Sequence, residues 1–117
     1  MAAIMSDGIA RADLRGRKLG VLLSTDPGHP NLDTCLELAG AALARGVDLY
    51  LYLIDDGVRA LADDRVQELA RRGAKLFACA FGCQRRRLPI TGEGATYCGL
   101  VVLTDLINGC DRFVALN

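Results

Sequence analysis

Five cysteines, at positions 35, 79, 83, 98 and 110, are the residues of this chain best equipped for covalent chemistry. They are not equivalent. Cys79 opens the segment Cys79-Ala80-Phe81-Gly82-Cys83-Gln84-Arg85-Arg86-Arg87 and sits where an apolar run, Ala74–Ala80, should give way to a helix. A thiol at such a junction is expected to be exposed and to face the unpaired backbone N–H groups of the first turn, at the positive end of the helix dipole. Three arginines follow within two turns. Both features favour thiolate over thiol, and thiolate is the form that attacks sulfur or carbon. A persulfide is more acidic than a thiol and would be held by the same donors. Cys83 lies one helical turn further on and either resolves an oxidised Cys79 or packs. The C-x₃-C spacing is not the C-x₂-C of thioredoxin-like sites or zinc knuckles, and no second ligand pair accompanies it, so no metal is expected. Arg85 and Arg86 are candidates to steer and stabilise a sulfur anion; their alternative is a solvated helix face. Cys35 falls on the apolar face of a helix, and Cys98 and Cys110 flank the last helix without a nearby basic cluster. These three read as small packing hydrophobes.

Two other loops are expected at strand ends. Thr25–Pro30 carries Gly28 and the lone histidine, His29, but lacks both the Gly-Lys-Ser/Thr of a phosphate loop and a G-x-G-x-x-G fingerprint. It reads as a Pro/Gly turn with an exposed histidine, with a weak anion site at the helix start near Asn31 as the alternative. Asp55-Asp56 could ligate a metal as paired acids do in receiver-type domains. Only Asp26 could join them, however, and no later strand ends in lysine, so a solvated turn is expected.

The elements that must position these residues alternate. Lys18–Ser24 and Val47–Ile54 read as buried strands with strong β-formers. Between them Leu32, Cys35, Leu36, Ala39, Ala42 and Leu43 recur at helical spacing over Asn31–Ala44, and Gly46 closes that helix. A helix is expected from about Val58 to Arg72, capped by Gly73, followed by the strand Ala74–Ala80 and a short helix Phe81–Arg87. Pro89 pushes Leu88 out of the helical region and ends it. Thr91–Gly94 reads as a flexible loop. The stretch Ala95–Ile107 has both strand and helix features; its length and the Asn108-Gly109 stop favour helix. Asp111–Leu116 is the last strand. Strands alternating with helices imply right-handed crossovers. The expected fold class is therefore α/β, a three-layer α/β/α sandwich with a mainly parallel sheet of four to five strands, and sites are expected at the carboxyl ends of those strands. Residues 1–17 form a flexible or docking arm and residues 18–117 a single domain.

The chain has 117 residues, 51% of them hydrophobic, which suits one globular domain and excludes disorder. Lys plus Arg number 14 and Asp plus Glu 14, which argues against nucleic-acid or membrane-surface binding by bulk charge. No apolar run reaches the ~18 residues of a membrane span. A mean hydropathy of +0.23, high for a small soluble monomer, hints at apolar surface buried between subunits. The odd cysteine count and the absence of an apolar leader in residues 1–17 suggest free thiols in a reducing cytoplasm.

The residues resemble those of the DsrE/DsrF/TusD-like sulfur-relay proteins over about 18–116. Leu38–Val58 (LAGAALARGVDLYLYLIDDGV) is similar to the family's alanine-rich helix, glycine, strand and Asp-Gly-Val. Cys110-Asp111-Arg112-Phe113-Val114 is similar to its final strand entry. The more specific signal is Cys79 through Arg86, where the family has a strand-ending cysteine followed by a basic pair. The chain departs from that pattern at Arg87, where a glycine is usual, and at Cys83, where a small residue is usual. The resemblance implies that Cys79 accepts sulfur, with Arg85 and Arg86 as the basic pair. It also implies a three-layer fold, assembly into trimers or hexamers, sulfur donor and acceptor proteins as partners, and no bound cofactor. The reading is then a sulfurtransferase or sulfur carrier that holds sulfane sulfur as a persulfide on Cys79. Two alternatives are a non-catalytic assembly or small-ligand-binding module with an inert Cys79, and a thiol redox switch built from Cys79 and Cys83.

Overall fold

A computed structural model of the chain describes residues 13–90 and 94–117. Its elements run β1 (Lys18–Leu23), α1 (Asn31–Ala44), β2 (Asp48–Leu53), a 3₁₀ helix (Asp55–Ala62), α2 (Asp64–Arg71), β3 (Lys75–Cys79), α3 (Ala80–Arg85), β4 (Thr96–Cys98), α4 (Leu100–Gly109) and β5 (Arg112–Leu116). The strands form one sheet in the order β4-β3-β2-β1-β5, with every neighbouring pair parallel. The α/β class expected from the sequence is the one adopted. Right-handed connections explain the layers. The first three crossovers step in one direction and place their helices on one face. The last, from β4 to β5, crosses the whole sheet the other way and puts α4 on the opposite face.

The two faces are unequal. Val21, Leu23, Leu49, Leu51, Leu53, Leu76 and Ala78 alternate along the strands and are buried beneath Leu32, Cys35 and Ala39 of α1, Val58 of the 3₁₀ helix, and Val66 and Leu69 of α2. Each buried leucine or valine stabilises the fold by roughly 1.5–3 kcal/mol. Leu22, Tyr50, Phe77 and Phe113 point the other way and stay half-exposed. Tyr52 shares their face but is 0% exposed.

Three helices end by one device. At the end of α1 the N–H of Gly46 donates to Leu43 O at 3.1 Å and that of Val47 to Ala42 O at 3.0 Å. The same pair of bonds closes α2 at Gly73 and Ala74, and α3 at Arg87 and Leu88. In each, the turning residue adopts positive φ, +74° at Gly46, +108° at Gly73 and +55° at Arg87. This is the Schellman arrangement, which glycine adopts without penalty. Arg87 occupies it in spite of its Cβ, so the departure from the usual glycine falls on a backbone position and not on the chemistry.

The structure corrects two expectations. The single helix expected over Val58–Arg72 is broken at Asp63, whose backbone is extended (φ −82°, ψ 123°) and whose carboxylate accepts the Arg65 N–H at 2.9 Å as the N-cap of α2. An aspartate stabilises a helix more as a cap than in its interior. The segment before it is a 3₁₀ helix, and its Gly57 packs onto the end of β1, where an added Cβ would lie 2.0 Å from Leu23 O. The helix expected over Ala95–Ile107 instead begins with the strand β4 and turns at Gly99 into α4. Three residues of strand are too short to show a period of two. Of the expected N-terminal arm, residues 1–12 lie outside the described residues, as do 91–93 of the expected loop. Residues 16 and 17 are tied to the α1–β2 junction, Gly16 N–H donating to Gly46 O at 3.0 Å and Arg17 O accepting from Asp48 N–H at 2.8 Å.

Candidate functional site

Cys79 is both the last residue of β3 and the N-cap of α3. Its extended backbone (φ −65°, ψ 115°) turns the chain, and its Sγ accepts the N–H of Gly82 at 3.4 Å. The thiol thus fills the acceptor position that Ser or Asp takes at other helix starts. The expected N–H donor is present, but the expected exposure is not: Cys79 is only 5% exposed. As the last residue of a strand that has neighbours on both sides, Cys79 is roofed over, and it lines a hollow instead of the outer surface. That hollow, about 440 Å³, is lined by Cys79 together with Ile54, Asp55, Gly82, Arg85 and Arg86, and Phe81, Gly99 and Leu100 complete its wall. It lies beside β3, away from the β1/β5 neighbourhood where the strand order reverses.

The basic pair divides its work. Arg86 donates from Nε to Asp56 Oδ1 at 2.9 Å and from a guanidinium nitrogen to Gly82 O at 3.1 Å, fastening α3 to the 3₁₀ helix. This pair is partly solvated, and such pairs are worth at most about 1 kcal/mol. Arg85 lies over the exposed ring of Phe81, 5.7 Å from its centroid. Both arginines line the hollow, with part of the Arg86 charge answered by Asp56. Among the described residues no three His, Cys, Asp or Glu side chains converge as a metal site requires. His29 is exposed and its Nδ1 accepts the Asn31 N–H at 3.0 Å, so the Thr25–Pro30 loop is the turn expected of it.

The remaining cysteines fall into two groups. Cys35 is fully buried in the α1 face of the core, as expected, and burial pushes its thiol up to about 11. Cys83 is also fully buried, one turn behind Cys79. Burial raises its thiol, the nearby Cys79 adds to the shift and Arg86 opposes it. Cys110 lies over Gly20, 3.2 Å from where a Cβ would stand. Cys98 is the residue that chain order concealed. It is the in-register partner of Cys79 across the β3–β4 ladder. Residues paired this way project to the same side of a sheet.

Tyr52 joins this pair. Its hydroxyl donates to Gly99 O at 3.0 Å, next to Cys98, whose own thiol donates to Ala78 O at 3.9 Å. Burial, together with the thiols of Cys98 and Cys79, holds the phenol proton far above its ordinary range. Burial likewise raises the Cys98 thiol, the nearby Tyr52 hydroxyl opposes the rise, and Cys79 adds to it. No sequence motif marks Tyr52 or Cys98. The signal that could have found them is the register of β4, a strand of three residues inside a stretch whose sequence favours helix.

Two solved structures share this architecture. The ychN protein from E. coli superposes with a TM-score of 0.73 at 19% identity, over 86% of this chain and 99% of that one. A conserved protein of unknown function, BT1422 from Bacteroides thetaiotaomicron, superposes with a TM-score of 0.70 at 20% identity, over 85% of this chain and 94% of that one. At these identities the likeness is one of fold. Among curated proteins none matches. The family model for DsrE/DsrF-like proteins matches residues 17–116, the whole sheet and every helix described above, and this chain therefore belongs to the DsrE/DsrF-like family.

Proposed function

We propose that this protein is a sulfur carrier that accepts sulfane sulfur on Cys79 and passes it to an acceptor protein. The observation that carries the reading is the placement of Cys79 Sγ at the strand–helix junction, accepting the Gly82 N–H and opening into a hollow with Arg85 and Arg86. In the loading step the Cys79 thiolate attacks the outer sulfur of a donor persulfide. A new S–S bond forms on Cys79, the donor's S–S bond breaks, and the donor leaves as thiolate. Sulfur changes hands with no net oxidation. The persulfide anion reaches further into the hollow than the parent thiol, toward the two guanidiniums. Because the sulfur is recessed, donor and acceptor must each insert a side chain or loop tip, and Phe81 (64% exposed) and Leu100 (60%) give them an apolar rim to seat on. Intact-mass measurement after incubation with a persulfide donor should show about +32 Da per active thiol, lost in Cys79→Ala. A wild-type protein that never gains the mass on Cys79 sinks the reading.

The near-complete burial of Cys79 favours a second reading, a non-catalytic assembly or ligand-binding module of the same fold. Under that reading an alkylating probe leaves Cys79 unmodified in the native protein and modifies it only on unfolding. The Cys79/Cys83 redox-switch reading would be tested by mild peroxide, which should join those two residues and no others.

Assembly is part of the proposal. No residue of α4 is buried, and Val101 is 76% and Ile107 49% exposed beside the half-covered sheet face. Apolar surface of this kind suits burial against further copies of the chain. Light scattering should report a trimer or hexamer, and a monomer near 12.5 kDa at micromolar concentration contradicts it. Among the described residues no helix is long and apolar enough to cross a membrane. Free thiols in all five positions fit a reducing compartment such as the cytoplasm.

A further inference from the structure

The carrier reading leaves a difficulty, since the loaded sulfur sits in a recess, 5% exposed, on a strand that is not at the edge of the sheet. The strand beside it is at the edge. β4 closes that side of the sheet, and its last residue, Cys98, stands in register with Cys79 and retains partial exposure. We propose that Cys98 is a second sulfur station, which takes the sulfane sulfur from Cys79 across the β3–β4 ladder and presents it at the sheet edge to an acceptor thiol. This rests on the carrier reading and adds a route to it.

Three observations support the step. First, adjacent strands lie about 4.8 Å apart and a sulfur–sulfur bond is about 2.05 Å. A sulfane atom on one cysteine therefore reaches to about 3 Å from a neighbour on the same side, which is a near-attack separation. Second, the Cys98 thiol donates to Ala78 O at 3.9 Å, which holds its sulfur toward β3, and the fully buried Tyr52 fixes the end of β4 by donating to Gly99 O at 3.0 Å. Third, the competing thiol, Cys83, is 0% exposed and has no outlet for a sulfur atom, whereas Cys98 keeps partial exposure.

The step balances. The Cys98 sulfur, as thiolate, attacks the outer sulfur of the Cys79 persulfide. The Cys98–sulfane bond forms, the Cys79–sulfane bond breaks, and Cys79 departs as thiolate and takes up the proton that Cys98 gave. No outside oxidant or reductant is consumed.

The test loads the full-length protein with inorganic polysulfide, traps persulfides by alkylation at successive times, and assigns them by peptide mass spectrometry. In the wild type the Cys79 peptide should carry the extra sulfur first and the Cys98 peptide later. In Cys79→Ser the Cys98 signal should fall at least tenfold, and in Cys98→Ser the sulfur should stay on Cys79. The order of appearance in the wild type needs no variant, so it stands even where a serine disturbs folding. Cys98 that never carries sulfur, or that loads equally well in Cys79→Ser, overturns the second station. So does a Cys79–Cys98 disulfide formed with release of hydrosulfide. Persulfide confined to Cys79 in the wild type removes only the second station, whereas Cys79 unloaded in Cys98→Ser removes the carrier reading itself.

Discussion

Replacing Arg87 by glycine should stabilise this protein. Arg87 is the turning residue that closes α3, held at φ +55° by the bonds of its own N–H to Gln84 O at 3.1 Å and of Leu88 N–H to Cys83 O at 2.9 Å. Those bonds belong to the backbone and survive the substitution. The left-handed conformation costs a residue with a Cβ about 1–2 kcal/mol. Glycine escapes that cost but loses more chain entropy on folding, about 0.5–1 kcal/mol. The side chain is exposed and ends a run of three arginines, so its removal forfeits little packing and relieves like-charge repulsion. The net expectation is a gain of about 0.5–1 kcal/mol. Urea unfolding followed by circular dichroism should show a higher midpoint with an unchanged slope. Both proteins must be compared at one protein concentration, because assembly adds to apparent stability. The mirror experiment uses Gly73, which holds the same position after α2 at φ +108° with nothing within 4 Å of its missing Cβ. Gly73→Arg should lower stability by about 0.5–1 kcal/mol, the left-handed strain less the chain entropy that glycine loses on folding. If Arg87→Gly leaves the midpoint unmoved or lowers it, the backbone account of this position is wrong, and the arginine side chain itself holds the end of α3.

Other expectations follow from the same structure. Gly57→Ala should cost about 1–3 kcal/mol or more, read in the same urea experiment, because the new methyl meets the backbone carbonyl of Leu23, which cannot swing aside. Asp63→Ala should cost about 1 kcal/mol through the lost N-cap of α2. The Arg65 side chain holds the Asp63 carboxyl below its ordinary value, so the charged cap contributes above the unfolded-state value and is lost as pH falls through the folded one. The wild type should therefore lose this increment on acidification toward and below pH ~4, and Asp63→Ala should show a shallower acid slope. Native-state alkylation at pH 8 should leave Cys35 and Cys83 untouched, since burial raises both thiols and closes both to reagent. Labelling of either at the rate of an unfolded control would contradict the packing described here.

How far the sequence revealed this molecule depended on which kind of information each feature needed. The helix over Asn31–Ala44 was legible to the residue because its apolar positions keep strict spacing and a glycine ends it. The α/β class was legible because strands and helices alternate. The break between the 3₁₀ helix and α2 was not, because Asp63, which caps α2, carries no local sign that separates a cap from a residue inside one longer helix. Nor was the recess around Cys79. Chain context placed the thiol at a strand end beside an N–H donor and two arginines, and it is there. Whether a strand end is open or roofed, however, depends on what the neighbouring strand and loops cover.

The same limit explains Cys98. Judged along the chain it lies 19 positions after Cys79 with no base nearby, and it reads as filler. Judged across the sheet it is the neighbour of Cys79, and Tyr52, from a third strand, holds the Gly99 carbonyl next to it. A parallel ladder pairs residues that share no local pattern, so a cysteine brought into use by register leaves no motif to find. The functional weight of the site therefore cannot be divided by counting residues near Cys79 in sequence. A sulfur atom moves over distances of one strand spacing, and the residues that matter to it are those within one strand spacing on the same face. By that measure Cys98 and Tyr52 belong with Cys79. Arg86, two turns of sequence away but tied to Asp56, serves first to hold α3 in place.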